Sequence, residues 1–322
     1  AGELYFTSCG SESDNWAILR GAESMSRKGR HVISSTVEHD AVRKSLDELE
    51  RRGYEVTRLS PSKSGAIDPD AVRHVLRPDT VLVSLMLVNN ETGAITDISA
   101  VSKLMKAAGS AAILHTDAVQ GFLKIPFQAK TLGADMVSIS GHKIHAPKGV
   151  GALYIRKGLK PASKLLPYLL GGGQENGLRA GTEALPQIAA FGVAAEQGKA
   201  AQALSMAHMR GLQELAAGRL QEEVPGIQII GAQAPHILSV SLPGYGSEVL
   251  MNFLDRRGIC AARSSACKKG GRSHVLEAMG LSPKVIDGAL RISFSRFTTE
   301  SDVNALCDGL RDAKASLFPV LG

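Results

Sequence analysis

The 322-residue chain predicts an α/β fold, with a mainly parallel central sheet, helices on both faces, and a smaller α+β domain after it. Three observations carry this expectation. Apolar runs of strand length alternate with helical patterns through the first half of the chain. One of those runs, Thr80–Val88, is nearly continuous in apolar residues, as in a strand buried on both faces. After residue 184 the pattern changes to an Ala-rich helical stretch followed by shorter strands.

In chain order, Ala41, Val42, Leu46 and Leu49 recur at helical spacing within 39–52, and Gly53 stops that helix. Tyr54 to Leu59 reads as a strand. Asp68-Pro69 is an N-cap followed by a proline in the first helical position, and Pro78 lies beyond that helix. Thr80 to Val88 is a near-continuous apolar run and predicts a buried strand. A helix over about 97–108 ends at Gly109, and strands follow at about 112–116, 135–139 and 150–155. The Ala-rich helical stretch reaches about residue 220, with strands near 227–231 and 237–242 ahead of further helices. No repeat or low-complexity linker interrupts the chain.

Two strands end on chemistry. Ile113-Leu114 opens onto His115, Thr116 and Asp117; Met136 to Ile139 opens onto Ser140, Gly141, His142 and Lys143, and a further strand follows at once. In a doubly wound sheet the ligand crevice lies at the carboxyl ends of the strands. A lysine and an aspartate delivered there suit pyridoxal 5'-phosphate (PLP): the amine forms a Schiff base, and the carboxylate keeps the pyridine nitrogen protonated. AlaProLysGlyValGly (146–151) lacks the spacing and the Lys-Ser/Thr ending of a P-loop.

Composition narrows the function class. The net charge of +6 and pI near 9.1 come from basic residues dispersed among acids, with no aromatic–basic interleaving, so no direct nucleic-acid partner is expected. No apolar run spans a membrane and no signal peptide opens the chain. Cys9, Cys260, Cys267 and Cys307 include no CxxC pair, which suggests a reducing, cytoplasmic setting. His142 and His145 have no further ligands at metal spacing, so no metal is expected.

Eight stretches, in one order, are similar to the cysteine desulfurases of the class V aminotransferase group. They are PheThrSerCysGlySerGluSerAspAsn (6–15), ValGluHisAspAlaVal (37–42), ValAsnAsnGluThrGly (88–93), HisThrAspAlaValGln (115–120), SerGlyHisLys (140–143), GlyGlyGlyGlnGluAsnGlyLeuArgAlaGlyThrGlu (171–183), SerSerAlaCys (264–267) and LeuArgIleSerPheSerArgPheThrThrGlu (290–300). The resemblance implies a PLP-transferase (aspartate-aminotransferase-like) fold. It also implies a large PLP-binding domain over 1–200 and a small domain over 201–322 carrying the catalytic-cysteine loop. The family's opening segment has no counterpart here, so the chain reads as N-terminally truncated.

The resemblance further implies the site. Lys143 is the Schiff-base lysine and the base at the substrate α-carbon; Asp117 faces the pyridine nitrogen and Gln120 the ring's phenolic oxygen. His39 stacks on the ring, the alternative being a helix-capping histidine. Gly10, Ser11, Ser140 and His142 meet the phosphate, and Thr182 does so across a homodimer interface. Asn90 lies near cofactor and substrate. Arg291 clamps the substrate carboxylate with a planar fork that matches it in two parallel bonds. Cys267 is the nucleophile that takes sulfur from L-cysteine as a persulfide, leaving L-alanine. Apart from the resemblance, the residues themselves suggest that Lys268 and Lys269 beside it favour the thiolate modestly or dock an acidic acceptor. Cys260, in an apolar run, and Cys307, in a late amphipathic helix, read as buried packing. The expected partner is a sulfur acceptor or iron–sulfur scaffold, feeding cluster assembly, tRNA thiolation or cofactor synthesis. Selenocysteine lyase and a non-catalytic binding subunit are the alternatives.

Overall fold

A computed structural model describes residues 2–159, 165–263 and 271–319. The chain divides into two compact units, one of residues 1–60, 67–88 and 96–200, the other of 61–66, 89–95 and 201–322.

The first unit is built on seven strands: β1 (Leu4–Thr7), β2 (His31–Ser35), β3 (Glu55–Leu59), β4 (Thr80–Ser84), β5 (Ile113–Asp117), β6 (Met136–Ser140) and β7 (Gly151–Ile155). Their spatial order is β1-β7-β6-β5-β4-β2-β3. All pairings from β6 across to β3 are parallel, and β7 alone runs against its neighbours. The reversal follows from chain length: the connection from Ser140 to Gly151 is too short for a crossover, which needs a dozen or more residues. Every residue of β2, β4, β5 and β6 is buried, their polar residues included, as strands covered on both faces require.

The helices of this unit are α1 (Gly10–Asn15), α2 (Gly21–Ser24), α3 (Asp40–Arg51), α4 (Pro69–Val75), α5 (Ile98–Ala107), α6 (Ala129–Leu132) and α7 (Leu185–Ala200). A π-helical turn, Trp16–Arg20, joins α1 to α2. Helix α1 lies against β6 and β7, and α3 and α4 against β3. Asp68 caps α4 through the Asp70 N–H at 3.0 Å, with Pro69 in the first turn. Gly53, at φ +82°, lets the chain leave α3 in a left-handed conformation that a side chain would strain. Trp16, Leu46, Leu49, Leu82, Met136 and Leu153 are fully buried in one apolar cluster.

One expectation is corrected. The run Thr80–Val88 leaves the strand at Ser84. Leu85–Val88 stay buried, but the Met86 N–H turns to the Glu38 Oε1 at 3.1 Å while Leu87 N–H still bonds the Asp117 carbonyl. A buried carboxylate competes with the ladder there, and apolar content alone does not reveal that.

The second unit carries α8 (Gln202–Glu223), α9 (Ser247–Asp255), α10 (His274–Ala278), α11 (Pro283–Asp287) and α12 (Glu300–Ser316). Its sheet is antiparallel, ordered β10-β11-β9-β8, from β8 (Gln228–Gly231), β9 (Ile237–Ser241), β10 (Ala262–Arg263) and β11 (Ala289–Ser293). Leu212, Leu220, Leu238, Leu250, Leu290 and Leu310 belong to its apolar core. Thr299 and Asp302 close a capping box at the start of α12. Among the described residues no helix is long and apolar enough to cross a membrane.

Candidate active site

Asp117 is the last residue of β5 and is 6% exposed. Its Oδ1 accepts the Val119 N–H at 2.8 Å, which fixes the carboxylate at the strand's carboxyl end. Burial raises its pKa, while that hydrogen bond and the nearby His39 and Lys143 side chains pull the other way. The amine and the imidazole each lie within electrostatic reach of this carboxyl.

Lys143 sits half-buried in the tight turn Gly141–Ile144 that follows β6. In the same turn the His142 Nδ1 lies 2.9 Å from the Ser140 Oγ, and burial lowers the His142 pKa. Gln120, half-buried, follows Asp117 by three residues.

His39 is the N-cap of α3, and its Nδ1 accepts the Ala41 N–H at 3.2 Å. The capping alternative is thus realised, and it leaves the ring available. With Nδ1 accepting, a neutral imidazole carries its proton on Nε2, and the cap holds the ring plane in place.

Gly10 begins α1 directly beneath the end of β6. A Cβ there would stand 2.7 Å from Val119 Cγ2 and 3.3 Å from Ser140 Cβ, so only glycine allows this approach. Gly10, Val119 and Ser140 accordingly meet at one point. Ser11 is exposed, and its carbonyl accepts from the Asn15 Nδ2 at 2.8 Å. The first-turn N–H groups of a helix have no partners within the helix, which is the property an anionic group exploits. Thr182 is exposed on the segment after Ala180.

In the second unit, Arg291 occupies the middle of β11, between Ala262 of β10 and Ser239 of β9. Its Nη1 donates to the Asn90 carbonyl at 2.9 Å. Asn90 lies in a turn organised by Asn89, whose Oδ1 accepts the Glu91 and Thr92 N–H groups, both at 2.9 Å. Arg291 and Asn90 are thereby brought together. Cys267, with Lys268 and Lys269, lies outside the described residues.

The other cysteines separate clearly. Cys307 is fully buried in α12, and burial pushes its thiol up to about 11, the character of a packing residue. Cys260 is exposed, contrary to the expectation from its apolar neighbours. Ile259 and Ala261 pack against the core in the irregular segment ahead of β10, and Cys260 between them points to solvent.

The sequence did not single out Glu38 and Asp14. Both are fully buried, and with His115 they form a polar layer around Asp117. The His115 Nδ1 lies 2.9 Å from Ser84 Oγ and its Nε2 2.9 Å from Ser138 Oγ, while burial pushes the imidazole down to about 3, so it is neutral. The sequence signals were faint: Glu38 adjoins His39, and His115 is two residues from Asp117 on the same strand face.

Burial pushes the Glu38 carboxyl up to about 8, against hydrogen bonds from Ser35 Oγ and Met86 N–H that favour its ionised form. A carboxyl raised in the folded state adds stability that is fully present below its unfolded value of about 4.3 and is lost as pH rises through about 8. Glu38→Gln keeps the Oε1 acceptor and cannot ionise. The stability difference, wild type minus Glu38→Gln, should therefore fall steadily across that window in denaturant titrations. A difference independent of pH would mean that Glu38 ionises alike in both states.

Among the described residues no cluster of His, Cys, Asp and Glu could hold a metal ion. The buried Asp117 carboxyl within electrostatic reach of Lys143 and His39, with the Gly10 backbone packed close against Ser140, fits a flat, cationic nitrogen ring bearing an anionic arm.

Comparisons with known proteins agree with that fit. The family model described as Aminotransferase class-V matches residues 1–306. Cysteine desulfurase 2 of Trichormus variabilis is 40% identical over 313 residues, which cover 94% of this chain and 75% of the relative. A solved NifS-like protein superimposes with a TM-score of 0.91 at 34% identity, covering 98% of this chain and 83% of the other. The structure of SspA in complex with cysteine gives a TM-score of 0.76 at 32% identity, with 92% and 83% covered. A family match over nearly the whole length, joined to this strand-end arrangement, places the chain among the cysteine desulfurases of the class V aminotransferase family.

Proposed function

We propose that the protein converts L-cysteine to L-alanine and takes the released sulfur onto Cys267 as a persulfide. The observation that carries the reading is the convergence of Lys143, His39 and Asp117 at the carboxyl ends of β5 and β6. The family's cofactor is PLP, which supplies an electron sink for the bonds around the substrate α-carbon.

Each residue has a role in that proposal, within a large cofactor-binding domain over 1–200 and a small domain over 201–322. Asp117 holds a proton at the pyridine nitrogen. His39, its ring fixed by the α3 cap, lies against the ring face, and Gln120 meets the phenolic oxygen. Gly10, Ser11, Ser140 and His142 receive the phosphate, with Thr182 contributed by a second copy of the chain in a homodimer. Lys143 holds the cofactor and moves the α-proton. Arg291 and Asn90 receive the substrate carboxylate.

Cys267 then attacks the substrate sulfur. A sulfur–sulfur bond forms, the carbon–sulfur bond breaks, and the β-carbon keeps the electron pair and gains a proton. One thiol and one cysteine give one persulfide and one alanine, with no outside oxidant. A sulfur acceptor or iron–sulfur scaffold protein in the cytoplasm is the proposed destination.

The test is to supply L-cysteine without reductant, quench with an alkylating agent and map the modified cysteines by mass spectrometry. One alanine should form per extra sulfur atom, and that sulfur should sit on the Cys267 peptide. Sulfur on Cys260 or Cys9 instead, or alanine formed with no protein-bound sulfur, would sink the assignment.

A further inference from the structure

Asp14 plays no part in the site as assigned, yet it lies at its centre. It faces the sheet from α1, is 1% exposed, and its Oδ1 has no hydrogen-bond partner among the described residues. The His115 Nε2 stands 3.7 Å away, too far for a hydrogen bond, and that imidazole is neutral. Among the described residues, the Ser138 hydroxyl is the hydrogen-bond support of its carboxyl.

Three buried carboxyls thus share one polar layer, and their supports are unequal. Asp117 has the Val119 N–H and the nearby Lys143 and His39 side chains. Glu38 has the Ser35 hydroxyl and the Met86 N–H. The titratable groups facing Asp14 are Asp117, Glu38 and Cys9, all of which oppose a further negative charge, together with the neutral His115. Neighbouring carboxyls in a dry site cannot all ionise; Glu38, pushed up to about 8 by burial, keeps its proton at neutral pH, and of the two aspartates the one whose surroundings stabilise charge least keeps another.

We propose that Asp14 is a positioning residue of the cofactor site: a protonated carboxyl behind Asp117 that leaves Asp117 as the ionised partner of the pyridine nitrogen. This inference rests on the reading of Asp117 given above. Its chemistry is a division of labour between two aspartates, one keeping a proton in a place where charge has no support, the other free to stay negative beside the ring. A neutral Asp14 fills the space under the sheet without competing for the cations that Asp117 needs.

Infrared spectroscopy decides the matter. Difference spectra between holoenzyme with unlabelled and with carboxyl-13C-labelled aspartate isolate the aspartate bands. At about pH 7, some three units above the ordinary aspartate value of about 3.9, an exposed aspartate shows no acid C=O band. The wild type should show one such band, Asp14→Asn should lose it, and Asp117→Asn should keep it. Absence of the band from the wild type, or its loss in Asp117→Asn with retention in Asp14→Asn, overturns the proposal.

Should Asp14→Asn fail to fold, wild type and Asp117→Asn still decide, because Asp14 and Asp117 are the aspartates that burial raises. The same spectra of the cofactor-free full chain separate the two readings. A chain that takes up no PLP refutes the cofactor assignment, whereas the cofactor-free band and its response to Asp14→Asn still report on Asp14.

Discussion

Lys143→Ala protein should carry no cofactor that borohydride fixes to the chain, and its turnover of L-cysteine should fall by about 10⁴-fold or more. Two functions are lost together. The amine that joins the cofactor is gone, and so is the base poised in the turn after β6. The contacts proposed for the phosphate and ring do not involve that amine, so dialysed protein should still retain some PLP, released by mild denaturation. Peptide mapping after borohydride reduction checks the assignment directly. A labelled lysine elsewhere in the Lys143→Ala protein would show that another residue carries the cofactor.

Asp117→Asn should retain PLP but lose about 10²- to 10³-fold in turnover, the usual cost of removing one preorganised electrostatic partner from a dry site. The amide preserves the shape at the end of β5 and can still accept the Val119 N–H through its oxygen. It cannot hold a proton on the pyridine nitrogen, because a neutral group gives no charge to oppose that proton's loss. Lys143 would also lose the anion within its electrostatic reach. Steady-state kinetics with cofactor occupancy measured in the same samples separates weak binding from slow chemistry. Turnover at the wild-type level in fully loaded Asp117→Asn would remove Asp117 from the site.

The strand ends were legible in the sequence because they break a pattern. A run of apolar residues that gives way to His115-Thr116-Asp117 or to Ser140-Gly141-His142-Lys143 marks polar groups that the chain places at the carboxyl end of a strand. Caps were legible for the same local reason: Asp68-Pro69 announces α4 with no reference to the rest of the chain. Asp14 and Glu38 were not legible. Nothing in SerGluSerAspAsn or ValGluHisAsp tells a buried acid from a solvated one, because burial is decided by β5 and β6 arriving from distant sequence. Cys260 failed in the opposite way, since apolar neighbours suggested a core position while those neighbours pack inward and leave the thiol exposed. The reversal of β7 could have been inferred from the short connection alone, as chain length forbids the parallel alternative.

That reversed strand also bears on the order in which the molecule assembles. β6 and β7 form the most local pairing in the sheet, Ser140 opposite Gly151, and the loop they close carries Lys143. β1 must find the far side of β7, Thr7 opposite Gly151, and only with it does Gly10 come to rest beside Ser140. Taken alone, that second closure costs about 2 kcal/mol more in chain entropy than the first. Pairings close in sequence form earliest as a rule. The reactive amine is therefore set in its turn while the pocket for the anionic arm is still open, and docking of the N-terminal strand is the late event that makes the cofactor's place complete.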